Sequence, residues 1–102
     1  MPLDMSEDQR NAALAKAAQA RRERAEMKEL LRTGSLTLGE VFERAETNDV
    51  VAGTKISSIL VAMPHMGKVK TKRLMEEYGI AENRKIRGLG SRQRRLLLER
   101  FS

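Results

Sequence analysis

Leu60-Val61-Ala62-Met63-Pro64-His65-Met66-Gly67-Lys68-Val69-Lys70-Thr71-Lys72-Arg73-Leu74-Met75-Glu76-Glu77-Tyr78-Gly79-Ile80 is the stretch on which the fold turns. An apolar segment stops at Pro64, which cannot continue a helix. A short link containing Gly67 follows. Val69 to Tyr78 is then amphipathic at helical spacing: Thr71, Leu74, Met75 and Tyr78 share one face, and Lys68, Lys70, Lys72 and Arg73 fall elsewhere. Gly79 is the expected left-handed C-cap, with Ile80 packing back behind it. A helix start has unpaired amides and a positive dipole end, and Gly67 puts no side chain before them; together these make a phosphate site. Lys68, Lys70 and Lys72 add full charges beside it, and Lys68 to Arg73 holds four bases and no acid. The plain alternative is turn chemistry next to a solvated charged face.

Outward from this stretch, the chain reads as further helices. Ile56 to Met63 taken alone fits either a buried strand or a helix; with no second strand candidate to pair with, helix is preferred. Thr37-Leu38-Gly39-Glu40 is a capping-box pattern that opens a short helix over 38–46, with Leu38, Val41, Phe42 and Ala45 at helical spacing. Asn48 or Thr47 starts a single turn through Val50 and Val51, ended by Gly53. Ser6-Glu7-Asp8-Gln9 is another capping box, opening a helix free of Gly and Pro as far as Arg32, with Gly34 placed to end it. Residues 81–90 form an irregular basic connection. Ser91 caps a last helix whose Leu97, Leu98 and Phe101 face the core. The pattern predicts an all-α protein of five or six helices.

The apolar residues divide the chain. Before Met27 the only large ones are Met1, Leu3, Met5 and Leu14, while positions 12–25 carry seven alanines. Alanine favours helix yet buries little area. Residues 1–26 therefore read as a helical extension and 27–102 as the compact domain, to which the first helix lends Met27, Leu30 and Leu31.

Charge is divided too. The chain of 102 residues holds 20 Lys+Arg and 14 Asp+Glu, a net +6. Residues 1–54 hold eight bases and ten acids, and residues 55–102 hold twelve bases and four acids. The excess falls in three groups: Lys68 to Arg73, Arg84 to Arg87, and Arg92 to Arg95, expected to share one face. Such an excess favours an anionic partner, either nucleic acid or a membrane surface. The exposed residues after Gly67 are mostly lysines, point charges suited to phosphate, and no base-reading Asn, Gln or Arg stands out. For a nucleic acid, weak sequence preference is expected, with affinity dominated by counterion release and any preference set by shape or flexibility. Arg10, Arg21, Arg22 and Arg24 of the first helix are candidates for flanking DNA, as is Arg92.

Other classes are disfavoured. There is no cysteine, hence no disulfide or thiolate metal site. No segment approaches the roughly 18 unbroken apolar residues of a membrane span, and no signal-peptide pattern opens the chain. The first helix lacks the Trp, Phe and Leu that interfacial helices insert. His65 is the single histidine and has no acid beside it in sequence. Catalysis, metal, cofactor, membrane and small-molecule substrate are therefore not expected. Met1-Pro2 makes no complete nucleophile site: Leu3 follows where an N-terminal-proline glycosylase carries glutamate.

The Pro-x-x-Gly link and the basic helix ending Tyr78-Gly79-Ile80 resemble a helix–two-turn–helix, or helix-hairpin-helix, nucleic-acid module. More widely, the chain resembles the actinobacterial integration host factor family. The matching blocks are Asp8-Gln9-Arg10 to Arg24, Met63-Pro64-His65-Met66-Gly67-Lys68-Val69-Lys70, Arg84-Lys85-Ile86-Arg87-Gly88-Leu89-Gly90, and Arg92-Gln93-Arg94 to Phe101. That resemblance implies a nucleoid-associated, duplex-DNA-binding protein of the bacterial cytoplasm that supports phage integrase reactions and influences supercoiling, with integrase or topoisomerase complexes as partners. It implies DNA-backbone contacts at Pro64, Gly67, Lys68, Val69 and Lys70, and a second set at Arg84, Lys85 and Arg87. His65, Met66 and Lys85 depart from the family's more usual lysine, valine and arginine. Structured RNA is the alternative ligand, since a small-subunit ribosomal protein has a similar module; the three aromatics, Phe42, Tyr78 and Phe101, sit at apolar helical positions and offer no stacking platform.

Overall fold

The protein is represented by a computed structural model that describes residues 7–101. It contains six α-helices: α1 (Glu7–Arg32), α2 (Leu38–Thr47), α3 (Asp49–Ala52), α4 (Ile56–Ala62), α5 (Gly67–Glu77) and α6 (Ser91–Arg100). A 3-10 turn over Ile86–Gly88 precedes α6. The described residues include no strand; the segments at Lys55 and Lys85 meet in one isolated antiparallel bridge. The all-α expectation holds. The cap expected at Ser6 and the residues Met1 to Met5 lie outside the described residues.

Several helix ends have a local cause. α1 ends in a Schellman motif: Ser35 N–H donates to the Leu30 carbonyl at 2.9 Å and Gly34 N–H to that of Leu31 at 3.1 Å, with Gly34 at φ +79°. α5 ends the same way, through Ile80 N–H to Met75 O at 2.8 Å and Gly79 N–H to Glu76 O at 3.2 Å, with Gly79 at φ +68°. The capping box of α2 is complete: Glu40 N–H donates to Thr37 Oγ1 at 3.1 Å, and Thr37 N–H donates to Glu40 Oε1 at 2.9 Å. Asn48 caps α3 by accepting from the amides of Val50 and Val51 at 2.9 and 3.3 Å. Its own amide donates to Glu23 of α1 at 3.2 Å.

Two expectations change here. Gly90, not Ser91, is the N-cap of α6, and Ser91 is the first helical residue. A glycine has no side chain to cap with, so Gln93 does the joining. Its Oε1 accepts from Gly90 N–H at 3.1 Å and its Nε2 donates to Gly79 O at 2.9 Å. One side chain thereby ties the start of α6 to the end of α5. The second change is that α5 begins at Gly67, two residues before the amphipathic pattern does.

α1 packs on α3 and α4, α2 on α3, and α4 on α5. The core joins Met27 and Leu31 of α1, Leu38, Val41 and Phe42 of α2, Ile56, Ile59 and Leu60 of α4, Leu74 and Met75 of α5, Ile86, and Leu97 of α6. Leu30 and Leu98, core residues by periodicity, are instead 37% and 36% exposed. Each lies one helical step, about 100°, from a fully buried leucine, and the contact stripe of its helix is too narrow to include it. Leu98 rests at the rim, 3.7 Å from where a Cβ on Gly39 would lie. Phe101 is half-buried. α6 is further held by Arg94, whose guanidinium lies 5.0 Å above the Phe42 ring. Leu14 is 62% exposed and the first buried residue of α1 is Met27. The bundle thus forms around the last turns of a helix about 39 Å long, consistent with principal extents of 50 × 27 × 26 Å.

Thr37→Ala is expected to cost about 1 kcal/mol at neutral pH, lowering Tm by roughly 4–8 °C in a domain of this size. The Thr37 N–H, then its hydroxyl, hold the Glu40 carboxyl below its ordinary value of 4.5. Its stabilisation is therefore complete above pH 4.5 and disappears as pH falls through the lower folded value. The gap between wild type and Glu40→Gln in urea melts should shrink between pH 7 and about pH 3.

Candidate nucleic-acid interface

The link between α4 and α5 makes two reversals in five residues. Met63 is extended at φ −66°, ψ 147°, as the residue before a proline must be. Met66 N–H donates to Met63 O at 3.3 Å and closes a four-residue turn. Pro64 occupies the second position, and His65 the third at φ +64°; that combination is a type II turn. Met66 then plugs into the core, 8% exposed. Gly67 takes the second left-handed conformation, φ +73°. A Cβ placed on Gly67 meets nothing within 4 Å, so glycine is needed there for its backbone angle and the space before it is open.

The start of α5 is left unclaimed. No side chain caps it, and the amides of Gly67, Lys68 and Val69 find no backbone acceptor among the described residues. Lys70 Nζ folds back to donate to His65 O at 3.0 Å, while Lys68, Val69 and Lys72 stand exposed, Val69 by 65%. Pro64 is exposed at the crest of the first turn. Lys68 and Lys72 line a depression of about 500 Å³ with Ser57 of α4, Glu76 and Glu82, over a floor of Val61, Met75 and Ile80. The Thr71 hydroxyl is buried at this floor with no hydrogen-bond partner among the described residues.

The basic connection predicted as irregular is ordered. Ile56 N–H donates to Arg84 O and Ile86 N–H to Thr54 O, both at 3.0 Å. These bonds pin residues 84–86 to 54–56 and set Lys85 opposite Lys55. Ile86 is fully buried. Arg84, Lys85 and Arg87 line a second depression, of about 390 Å³, with Asn83 and Gly88. Arg84 curls over Gly88, donating to its carbonyl at 3.2 Å; a Cβ on Gly88 would come within 3.0 Å of Arg84 Cδ.

The structure splits the first basic group: Lys68 and Lys72 face a depression bounded by residues 80–82, next in the chain to the one lined by Arg84, Lys85 and Arg87, whereas Lys70 and Arg73 line another with Arg100 of α6. The third basic group is elsewhere: Arg94 and Arg95 line a depression on α6 with Ser91, Leu98 and Glu99, which shares no residue with these. Arg92 is exposed on the first turn of α6; on α1, Arg21 and Arg22 are exposed and Arg24 half-buried. Lys55 and Lys28 are the cations that sequence reasoning missed. Nothing in the sequence marks Lys55, whose place depends on a bridge to residue 85. Lys28 carries a weak signal, since it continues the helical stripe of Arg21 and Arg24. Among the described residues there is no cluster of His, Asp or Glu able to hold a metal, and no helix long and apolar enough to cross a membrane.

Helices joined by paired left-handed reversals define the class: residues 31–101 match the S13-like H2TH domain family. The chain is 50% identical over 97 residues to integration host factor of Mycolicibacterium smegmatis, covering 95% of this chain and 92% of that protein. It is 48% identical over 97 residues to integration host factor of Mycobacterium tuberculosis, with the same coverage. It is 48% identical over 89 residues to that of Streptomyces coelicolor, covering 87% of this chain and 83% of that one. The solved structure of sIHF bound to an 8-bp palindromic DNA superposes with a TM-score of 0.83 at 45% identity, covering 86% of this chain and 99% of that one. The chain belongs to the integration host factor family.

Gly67→Ala should fold and lose about 1–2 kcal/mol, the cost of a left-handed alanine with no clash added. His65→Asn, which tolerates that region better, should hold or raise Tm. Thermal melts of the two variants check both outcomes.

Proposed function

We propose that this protein binds duplex DNA through its phosphate backbone with little regard to sequence. The observation that carries this is the uncapped start of α5: amides free among the described residues, behind a glycine with open space before it, beside three lysines. Such a terminus is an anion site, and a duplex is a regular array of anions. The related sIHF was solved on DNA, which supports the same ligand here.

In this reading Gly67, Lys68 and Lys70 take one stretch of backbone, with Pro64 and Val69 packing against sugar and Lys72 adding charge. Arg84, Lys85 and Arg87, with Lys55 alongside, take a second stretch. Arg21, Arg22 and Arg24 lie near flanking DNA from α1, and Arg92 from α6. The compact unit 27–102 does the binding and residues 1–26 extend from it. Lysines read charge and not base edges, so discrimination among sequences comes from DNA shape and flexibility. The cellular role proposed is that of a nucleoid protein in the cytoplasm that shapes DNA, supports phage integrase recombination and affects supercoiling.

Fluorescence anisotropy on short duplexes at several salt concentrations tests the binding. Affinity should fall steeply, with a slope of about −0.9 per phosphate neutralised. Lys68→Glu and Arg87→Ala should weaken binding to unrelated duplexes equally, Arg87→Ala reducing the slope by about 0.9, with melting curves unchanged. Affinity flat in salt overturns the proposal. Displacement by structured RNA in preference to duplex of equal length replaces DNA with RNA as the ligand.

A further inference from the structure

A smaller depression, of about 310 Å³, lies where α1 crosses α4 beside the first turn of α5. Its walls are Lys28, Ser57, Ser58 and Lys68, with the apolar Val61 and Ala62 between them. Two lysines and two serines line it, and no acid does. Lys28 and both serines are half-buried. Among the described residues none of the four side chains makes a hydrogen bond or ion pair; the one salt bridge on this part of α1 joins Glu29 to Arg32. The helical neighbours of Lys28 at i−4 and i+4 are Arg24 and Arg32, so no carboxylate answers it along its own helix. A half-buried lysine with no counter-charge has lost some hydration for no return in the free protein. An anion in the depression would restore it, taking charge from two ammoniums and hydrogen bonds from two hydroxyls.

We propose that Lys28, Ser57, Ser58 and Lys68 form a seat for one phosphodiester group of the duplex, so that bound DNA joins the end of α1 to the two-turn module. This rests on the duplex-binding reading and adds to it a residue from a different helix. Lys28 follows Arg21 and Arg24 on one stripe of α1, within about 60° of arc. Backbone held at the seat is thereby directed along α1 past those arginines, and α1 becomes a side wall of the DNA path.

The test measures duplex affinity of the full chain against salt by anisotropy, for wild type and four variants. Lys28→Gln should bind about eightfold more weakly in 0.1 M salt, the gap closing toward 1 M, because one phosphate contact of slope 0.9 is lost. Lys28→Arg should keep the wild-type slope. The double variant Ser57→Ala/Ser58→Ala should weaken binding roughly two- to tenfold with the slope unchanged, since hydroxyls release no counterion. Lys16→Gln, on the same helix but about 120° off the stripe, should change the slope by less than Lys28→Gln does. Equal losses for Lys16→Gln and Lys28→Gln overturn the seat in favour of a diffuse field around α1. Wild-type affinity in Lys28→Gln overturns the seat and leaves the two-turn site standing. A wild-type chain that binds no duplex overturns both. Circular-dichroism melts of each variant keep a folding defect from being counted as lost contact.

Discussion

The molecule depends on holding two left-handed residues within five positions. His65 at φ +64° and Gly67 at φ +73° turn the chain back twice between α4 and α5. A histidine in that region costs about 1–2 kcal/mol, and the surroundings must supply it. Pro64 presets the first turn, which a hydrogen bond from Met66 to Met63 closes. Met66 is buried between the reversals, and Ile59 and Leu60 just before them are fully buried. The consequence is the bare start of α5. α2 and α3 are capped by Thr37 and Asn48, whereas α5 follows a buried methionine that offers its amides nothing. Its first amides are therefore left without a cap from the chain's own side chains.

The rest of the interface is held as firmly by ordinary packing. The loop carrying Arg84, Lys85 and Arg87 is pinned at both sides of Lys85 by backbone bonds to residues 54 and 56 and anchored by the buried Ile86 and Leu89. Gln93 then couples α6 to the C-cap of α5. The backbone that carries these cations is therefore fixed within the free protein. Not every cation is of this kind. Arg94 lies over Phe42 and Arg32 pairs with Glu29; both are already engaged within the protein. The chain's net charge of +6 thus conceals groups that hold the fold and groups that await a ligand.

Much of this is legible along the chain. Gly34 and Gly79 announce their Schellman motifs, because only a left-handed residue ends a helix in that way and glycine takes it most cheaply. Thr37 and Glu40 announce a capping box, and Asn48 the turn after it, because these bonds span two or three residues. Helix is the right choice for 56–62, since the single bridge from Lys55 to Lys85 is no sheet. Leu30 and Leu98 escape the pattern because periodicity says which residues share a face and not how wide the contact will be. Ser91 escapes it because Gln93 takes over the joining by reaching a carbonyl fourteen residues away.

The sequence by itself determined the helices, the caps at Thr37 and Asn48 and the endings at Gly34 and Gly79, the family resemblance and the concentration of charge in the second half, all of them local or compositional properties. It also pointed to the turn at 63–67, through Pro64 and Gly67, but not to the left-handed His65 within it. Tertiary structure decided which cations meet. It placed Lys55 opposite Lys85, set Lys28 and Lys68 around one depression, and moved Arg94 and Arg95 to a separate one. Those pairings join residues thirty to forty positions apart: backbone bonds between 54–56 and 84–86 make the first, and the packing of α1 on α4 and of α4 on α5 makes the second.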